Sequence, residues 1–97
     1  MTRAQVLDIL EAHQAQLRAL GVKSLALFGS LARDEATATS DVDLLVEFDR
    51  PVGLLHVIGT EQRLQEWLGV EQVDLVLRRA VLPELKDAIL AEAVDAF

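Results

Sequence analysis

Cysteine is absent from the 97-residue sequence, which excludes a disulfide framework and any thiolate zinc site. Aromatic residues make up only 4% of the chain while 52% of it is hydrophobic, so the core must be aliphatic, filled by Leu, Val, Ile and Ala. Basic residues are a minority, 9 Lys and Arg against 16 Asp and Glu, for a formal net charge of −7. Such a chain lacks the cationic footprint that neutralises nucleic-acid phosphates, which argues against direct binding of a long nucleic acid. No apolar run approaches membrane length, and the apolar residues near the N-terminus are spaced rather than continuous. A cytoplasmic protein with no membrane contact is expected. No repeat, linker or low-complexity segment interrupts the sequence, so a single domain over 1–97 is expected.

What is present is concentrated in residues 29–43. Gly29-Ser30-Leu31-Ala32-Arg33 follows the apolar run Leu25-Ala26-Leu27-Phe28, and Ser40-Asp41-Val42-Asp43 precedes Leu44-Leu45-Val46. After a strand, Gly29 allows a sharp turn and close approach of backbone to a ligand, because it has no Cβ. Ser30 is placed to cap a short helix beginning at Leu31, whose free N–H groups suit a phosphate.

Asp41 and Asp43 are two residues apart on a predicted strand, so their carboxylates share one face. Like charges that close repel unless a cation lies between them. Mg²⁺ is the natural candidate, since it takes one or two carboxylates together with substrate phosphates. A third acid, Asp74, interrupts the apolar run Val73-Asp74-Leu75-Val76-Leu77. That run reads as a strand buried on both faces, where an unpaired carboxylate costs several kcal/mol, and about that much calls for a cation or strong donor.

The remaining elements follow from periodicity. Val6, Ile9, Leu10, Leu17 and Leu20 predict one helix over about 2–20, stopped by Gly21. Strands are predicted over 24–28 and 42–48, with the polar stretch 34–40 forming the edge of a cleft. A second helix follows Pro51 and Gly53 and has a possible break at Gly59. A closing helix starts near Pro83. His13, His56 and Trp67 are read as packing residues, and Glu47 and Asp49 as solvent-facing. Arg33 either pairs with an acidic neighbour or reaches a nucleotide phosphate. Arg78 and Arg79 are either a solvated strand end or a contact for a triphosphate or an acidic partner.

Gly-Ser, a spacer, Asp-x-Asp on one strand and a third Asp on another resembles the nucleotidyltransferase superfamily that includes DNA polymerase beta. The likeness is closest to the minimal nucleotidyltransferases, the MNT antitoxins of HEPN/MNT toxin–antitoxin systems, and it covers nearly the whole chain. The resemblance implies an α/β (α+β) fold with a small mixed sheet flanked by helices. It also implies a Mg²⁺-dependent protein adenylyltransferase that moves AMP from ATP to a tyrosine hydroxyl of a HEPN ribonuclease toxin, releasing pyrophosphate. In that family pattern Asp41, Asp43 and Asp74 hold two Mg²⁺ ions and carry catalysis, and Gly29, Ser30, Arg33 and Ser40 bind the nucleotide. The alternatives are an antitoxin that acts by binding alone and a nucleotidyltransferase for a small molecule.

Overall fold

The structure, a computed structural model, describes residues 1–34 and 41–97. Helix α1 (Arg3–Ala12) opens on a capping box. The Thr2 hydroxyl accepts from the Gln5 N–H, and the Gln5 side chain accepts from the Thr2 N–H, which satisfies two donors that a helix start leaves unpaired. The single helix expected over 2–20 is interrupted at His13 and resumes as α2 (Gln14–Ala19). There the imidazole Nδ1 lies 2.9 Å from the Ile9 carbonyl oxygen, and the ring stacks on Trp67 with centroids 4.4 Å apart. Both side chains are therefore part of the packing between α2 and the next helix.

Strands β1 (Val22–Phe28), β2 (Val42–Phe48), β3 (Val73–Leu77) and β4 (Val94–Asp95) form one mixed sheet in the order β3-β2-β1-β4. β1 is antiparallel to both of its neighbours, and β2 and β3 are parallel. A parallel pair needs a crossover, supplied by α3 (Leu54–Leu68). The helix passes through Gly59 unbroken and ends at Gly69, whose φ of 68° is the left-handed stop that glycine takes at low cost. A 3-10 turn (Arg78–Ala80) leads from β3 to α4 (Pro83–Glu92), which starts on Pro83.

The two faces of the sheet are covered unequally. Alternation along the strands points Leu25 and Leu27 of β1 and Val42, Leu44 and Val46 of β2 toward α1–α3, where they meet Val6, Leu10, Leu17 and Leu64 in one aliphatic core. Each such side chain contributes roughly 1.5–3 kcal/mol by leaving water. Ala26 and Leu45 project from the other face and are also buried. α4 has no buried residue of its own, and Leu82, Leu85 and Leu90 are exposed.

Two strand expectations change. β3 is an edge strand in which only Val73 and Leu75 are buried, so Asp74 is half-buried rather than enclosed on both faces. The closing helix is followed by β4, whose pairing with Ala26 and Leu27 of β1 was not foreseen. A two-residue strand has too little sequence to show a period of two.

Candidate active site

Strand direction alone brings the singled-out residues to one corner. Because β1 and β2 are antiparallel, the end of one meets the start of the other, and Phe28 pairs with Asp43. Because β2 and β3 are parallel and in register, Asp43 pairs with Asp74. Carboxylates far apart in the chain thus become cross-strand neighbours, the spacing at which side chains interact directly. Asp41 lies just before β2 and is exposed, so it borders the pair rather than sharing the ladder.

Gly29 fits against this pair in a way no other residue would. Its φ is 77°, and a Cβ built there would collide with the Asp43 carboxylate. Beyond it the chain makes one turn: the Arg33 N–H reaches the Gly29 carbonyl at 3.3 Å, the Asp34 N–H reaches Leu31 at 3.1 Å, and Asp34 has a φ of 59°. The short helix expected from Leu31 is thus a single turn among the described residues, and Ser30 lies within that turn. So short a segment has few aligned peptide dipoles, and any anion there depends on local N–H groups and on Arg33. The turn is anchored by buried Leu31 and Ala32 and by the Arg3 guanidinium of α1, which donates to the Ala32 carbonyl at 3.1 Å.

Arg33 pairs with an acidic neighbour that comes from the far end of the chain. Glu92, the last residue of α4, accepts from the Arg33 guanidinium at 2.7 Å and from the Gly29 N–H at 3.2 Å. The Arg33 hydrogen bond, assisted by the Gly29 N–H, holds the Glu92 carboxyl below its ordinary range against the opposing effect of burial. Glu92 was not singled out from sequence. Nothing in the spacing of Leu90-Ala91-Glu92 distinguishes it from the other acids of an exposed helix.

Asp43 is shifted the other way, from 3.8 to about 6. Burial is the largest cause, followed by the charge of Asp74 and a hydrogen bond shared with it, and then by Asp41; Arg33 opposes the shift. Gln72 donates to the outer side of the pair through its amide, 3.2 Å from Asp74 Oδ1. A carboxylate crowded by burial and like charge is relieved by a cation or a proton. Among the described residues no group of three or more acidic or histidine side chains converges as a ready metal cage. The adjacent Asp43 and Asp74 fit a hard divalent ion that takes its remaining ligands from phosphate and water.

Ser40 and most of the 34–40 stretch read as a cleft edge lie outside the described residues. His56 is placed structurally, its Nε2 against the Leu20 carbonyl and its ring edge-on to Phe48. Glu47 and Asp49 face solvent as read, in exposed ion pairs: Glu47 with Lys23 at 3.1 Å and Asp49 with Arg50 at 2.7 Å.

The structure thus presses a glycine turn against a carboxylate pair carried on two neighbouring strands, and comparison with known proteins supplies the family. The family model described as "Nucleotidyltransferase domain" matches residues 6–96. The chain belongs to this family. The nucleotidyltransferase is 48% identical over 75 residues to a candidate protein adenylyltransferase of Methanocaldococcus jannaschii, an alignment covering 77% of this chain and 80% of that one. It is 38% identical over 95 residues to the protein adenylyltransferase MntA of Thermococcus cleftensis, covering 97% and 95% respectively. Among solved structures, a candidate minimal nucleotidyltransferase superposes with a TM-score of 0.83 at 35% identity, over 97% of this chain and 95% of that one. A chain from the complex of tri-AMPylated Shewanella oneidensis HEPN toxin with MNT antitoxin superposes at 0.67 and 20% identity, over 94% and 71%, which speaks to fold alone.

Proposed function

We propose that this nucleotidyltransferase is an antitoxin that transfers AMP from ATP to a tyrosine hydroxyl of a partner HEPN ribonuclease toxin, acting in the cytoplasm as a single minimal domain. The observation that carries the reading is the pairing of Asp43 with Asp74 beside a turn that only glycine fits. The relatives named as protein adenylyltransferases support AMP as the transferred group and a protein as the acceptor.

In this reading Asp43 and Asp74, with Asp41 at the rim, hold Mg²⁺, which when bound neutralises the triphosphate and lowers the pKa of the attacking hydroxyl. Gly29, Ser30, Arg33 and Ser40 orient the triphosphate so that its β- and γ-phosphates face away from the acceptor. The tyrosine oxygen forms a bond to the α-phosphorus as the bond from that phosphorus to the bridging oxygen breaks. Pyrophosphate leaves with that electron pair, and Asp74 takes the hydroxyl proton. Because Glu92 already accepts from Gly29 and Arg33, the incoming phosphates must displace its carboxylate. The acidic surface complements a partner whose own active surface binds RNA.

The test is incubation with Mg²⁺, labelled ATP and the HEPN partner, followed by intact-mass analysis. A gain of one or more AMP units on the partner, absent for the Asp41→Asn/Asp43→Asn variant, is the expected result. A stable complex with no mass gain, and protection retained by that variant, would identify neutralisation by binding alone.

A further inference from the structure

The parallel strands β2 and β3 carry acids at their N-terminal ends and cations beyond their C-terminal ends, and a cavity of about 700 Å³ lies at that second end, under α4. Its volume falls in the range of small-molecule sites, roughly 300–1,000 Å³. The cavity is separate from the carboxylate corner. Glu47, on its wall, is four residues along the strand from Asp43, a distance of about 13 Å, and Leu45, between them on the same face, is buried.

The charge of the lining is opposite to that of the chain. In a protein of net charge −7 with nine Lys and Arg residues, four of those nine, Arg50, Arg78, Arg79 and Lys86, line this one cavity. The two acids on the wall are already engaged, Glu47 by Lys23 and Asp49 by Arg50. The side chains of Arg78, Arg79 and Lys86 have no ion pair or hydrogen bond among the described residues, and Arg78 Nε is buried without an acceptor. A buried donor without a partner calls for one from outside, because its lost hydration is otherwise uncompensated. The rest of the wall is apolar and includes Phe48 and Leu90.

We propose that this cavity binds a phosphate-bearing small molecule with an apolar or aromatic body, a nucleoside monophosphate by class, independently of the Asp43–Asp74 corner. The guanidinium fork of Arg78 matches phosphate geometry, and Lys86 adds a point charge from α4. Leu90 of α4 and Val52 take the body of the ligand. A monophosphate, carrying about two negative charges, is matched by the three uncommitted cations without a metal. Because α4 closes one side of the cavity and ends on Glu92, occupancy at this end bears on the helix that contacts the Gly29 turn.

The experiment is calorimetric titration of the full chain carrying Asp41→Asn and Asp43→Asn, in EDTA, with AMP, inorganic phosphate and adenosine in separate runs. AMP is expected to bind without metal and more tightly than either of its halves. Affinity should fall about 10-fold or more with Arg78→Gln and with Lys86→Gln, the latter an exposed site where folding is not at stake. Arg78→Lys should recover only part of the loss, since it restores charge but not the fork. Absence of binding in EDTA, indifference to both substitutions, or equal affinity for phosphate and AMP would overturn the assignment.

Discussion

At the residue scale the central group is Asp43, whose carboxyl is pushed up to about 6 by burial and by the neighbouring Asp74 and Asp41. The folded protein binds the Asp43 proton more tightly than the unfolded chain does. The stability this confers is complete below about pH 4 and is lost as the pH rises through 6, and solvent screening at this partly exposed carboxyl keeps it modest. Asp43→Asn is therefore expected to raise the melting temperature by several degrees at pH 7.5 in EDTA and to leave it nearly unchanged at pH 4, as read by circular dichroism. Equal shifts at both pH values would show that the substitution acts through packing instead. Gly29→Ala places a Cβ against the same carboxylate at a positive φ. It should cost about 1–3 kcal/mol in thermal stability and abolish AMP transfer in the mass assay. Glu92→Gln removes the negative charge that occupies the Gly29 and Arg33 donors. Tighter ATP binding is expected, and weaker binding would make Glu92 a support for the turn rather than a competitor.

At the scale of elements, the contrast is between helices that share the core and one that does not. α1, α2 and α3 contribute Val6, Leu10, Leu17 and Leu64 to the aliphatic cluster, whereas α4 has no buried residue. Local opening is easiest where few apolar contacts must be broken. Hydrogen exchange should show α4 exchanging well before α1 and α3, and comparable protection in α4 would contradict this account of its packing. β4 ties the end of α4 to the sheet through the Ala96 N–H to Leu25 carbonyl bond at 2.8 Å, so Glu92 sits between a loosely packed helix and a pinned strand. Much of this level was legible in the sequence. β2 has the bounds that the alternation of Val42–Phe48 predicts, and helical spacing located α3. The break at His13 and the existence of β4 were not legible, because each goes with contacts to distant residues, Trp67 and β1, rather than with local period.

For the molecule as a whole, the net charge of −7 acts over longer distances than any single contact. Association with a basic partner should be steered by it, so the association rate is expected to fall several-fold between low and physiological salt while dissociation changes little. Stopped-flow measurement at two ionic strengths checks this, and a salt-independent association rate would remove the steering argument. The same acidity makes the cationic cavity at the far end of β2 and β3 conspicuous, yet in the sequence only Arg78-Arg79 points to it. Arg50, Arg78, Arg79 and Lys86 come from three separate segments.

By itself the sequence determined the chemistry available and most of the elements that carry it: an aliphatic core, a glycine turn after a strand, and acids at Asp41, Asp43 and Asp74. Those are properties of residue type and short-range period, and both are local. Tertiary structure alone decided that β2 and β3 run parallel with Asp43 beside Asp74, that Glu92 returns to the Gly29 turn, and that four cations meet in one cavity. Strand direction, register and the path of α4 are set by how distant apolar faces bury one another, which no local pattern encodes.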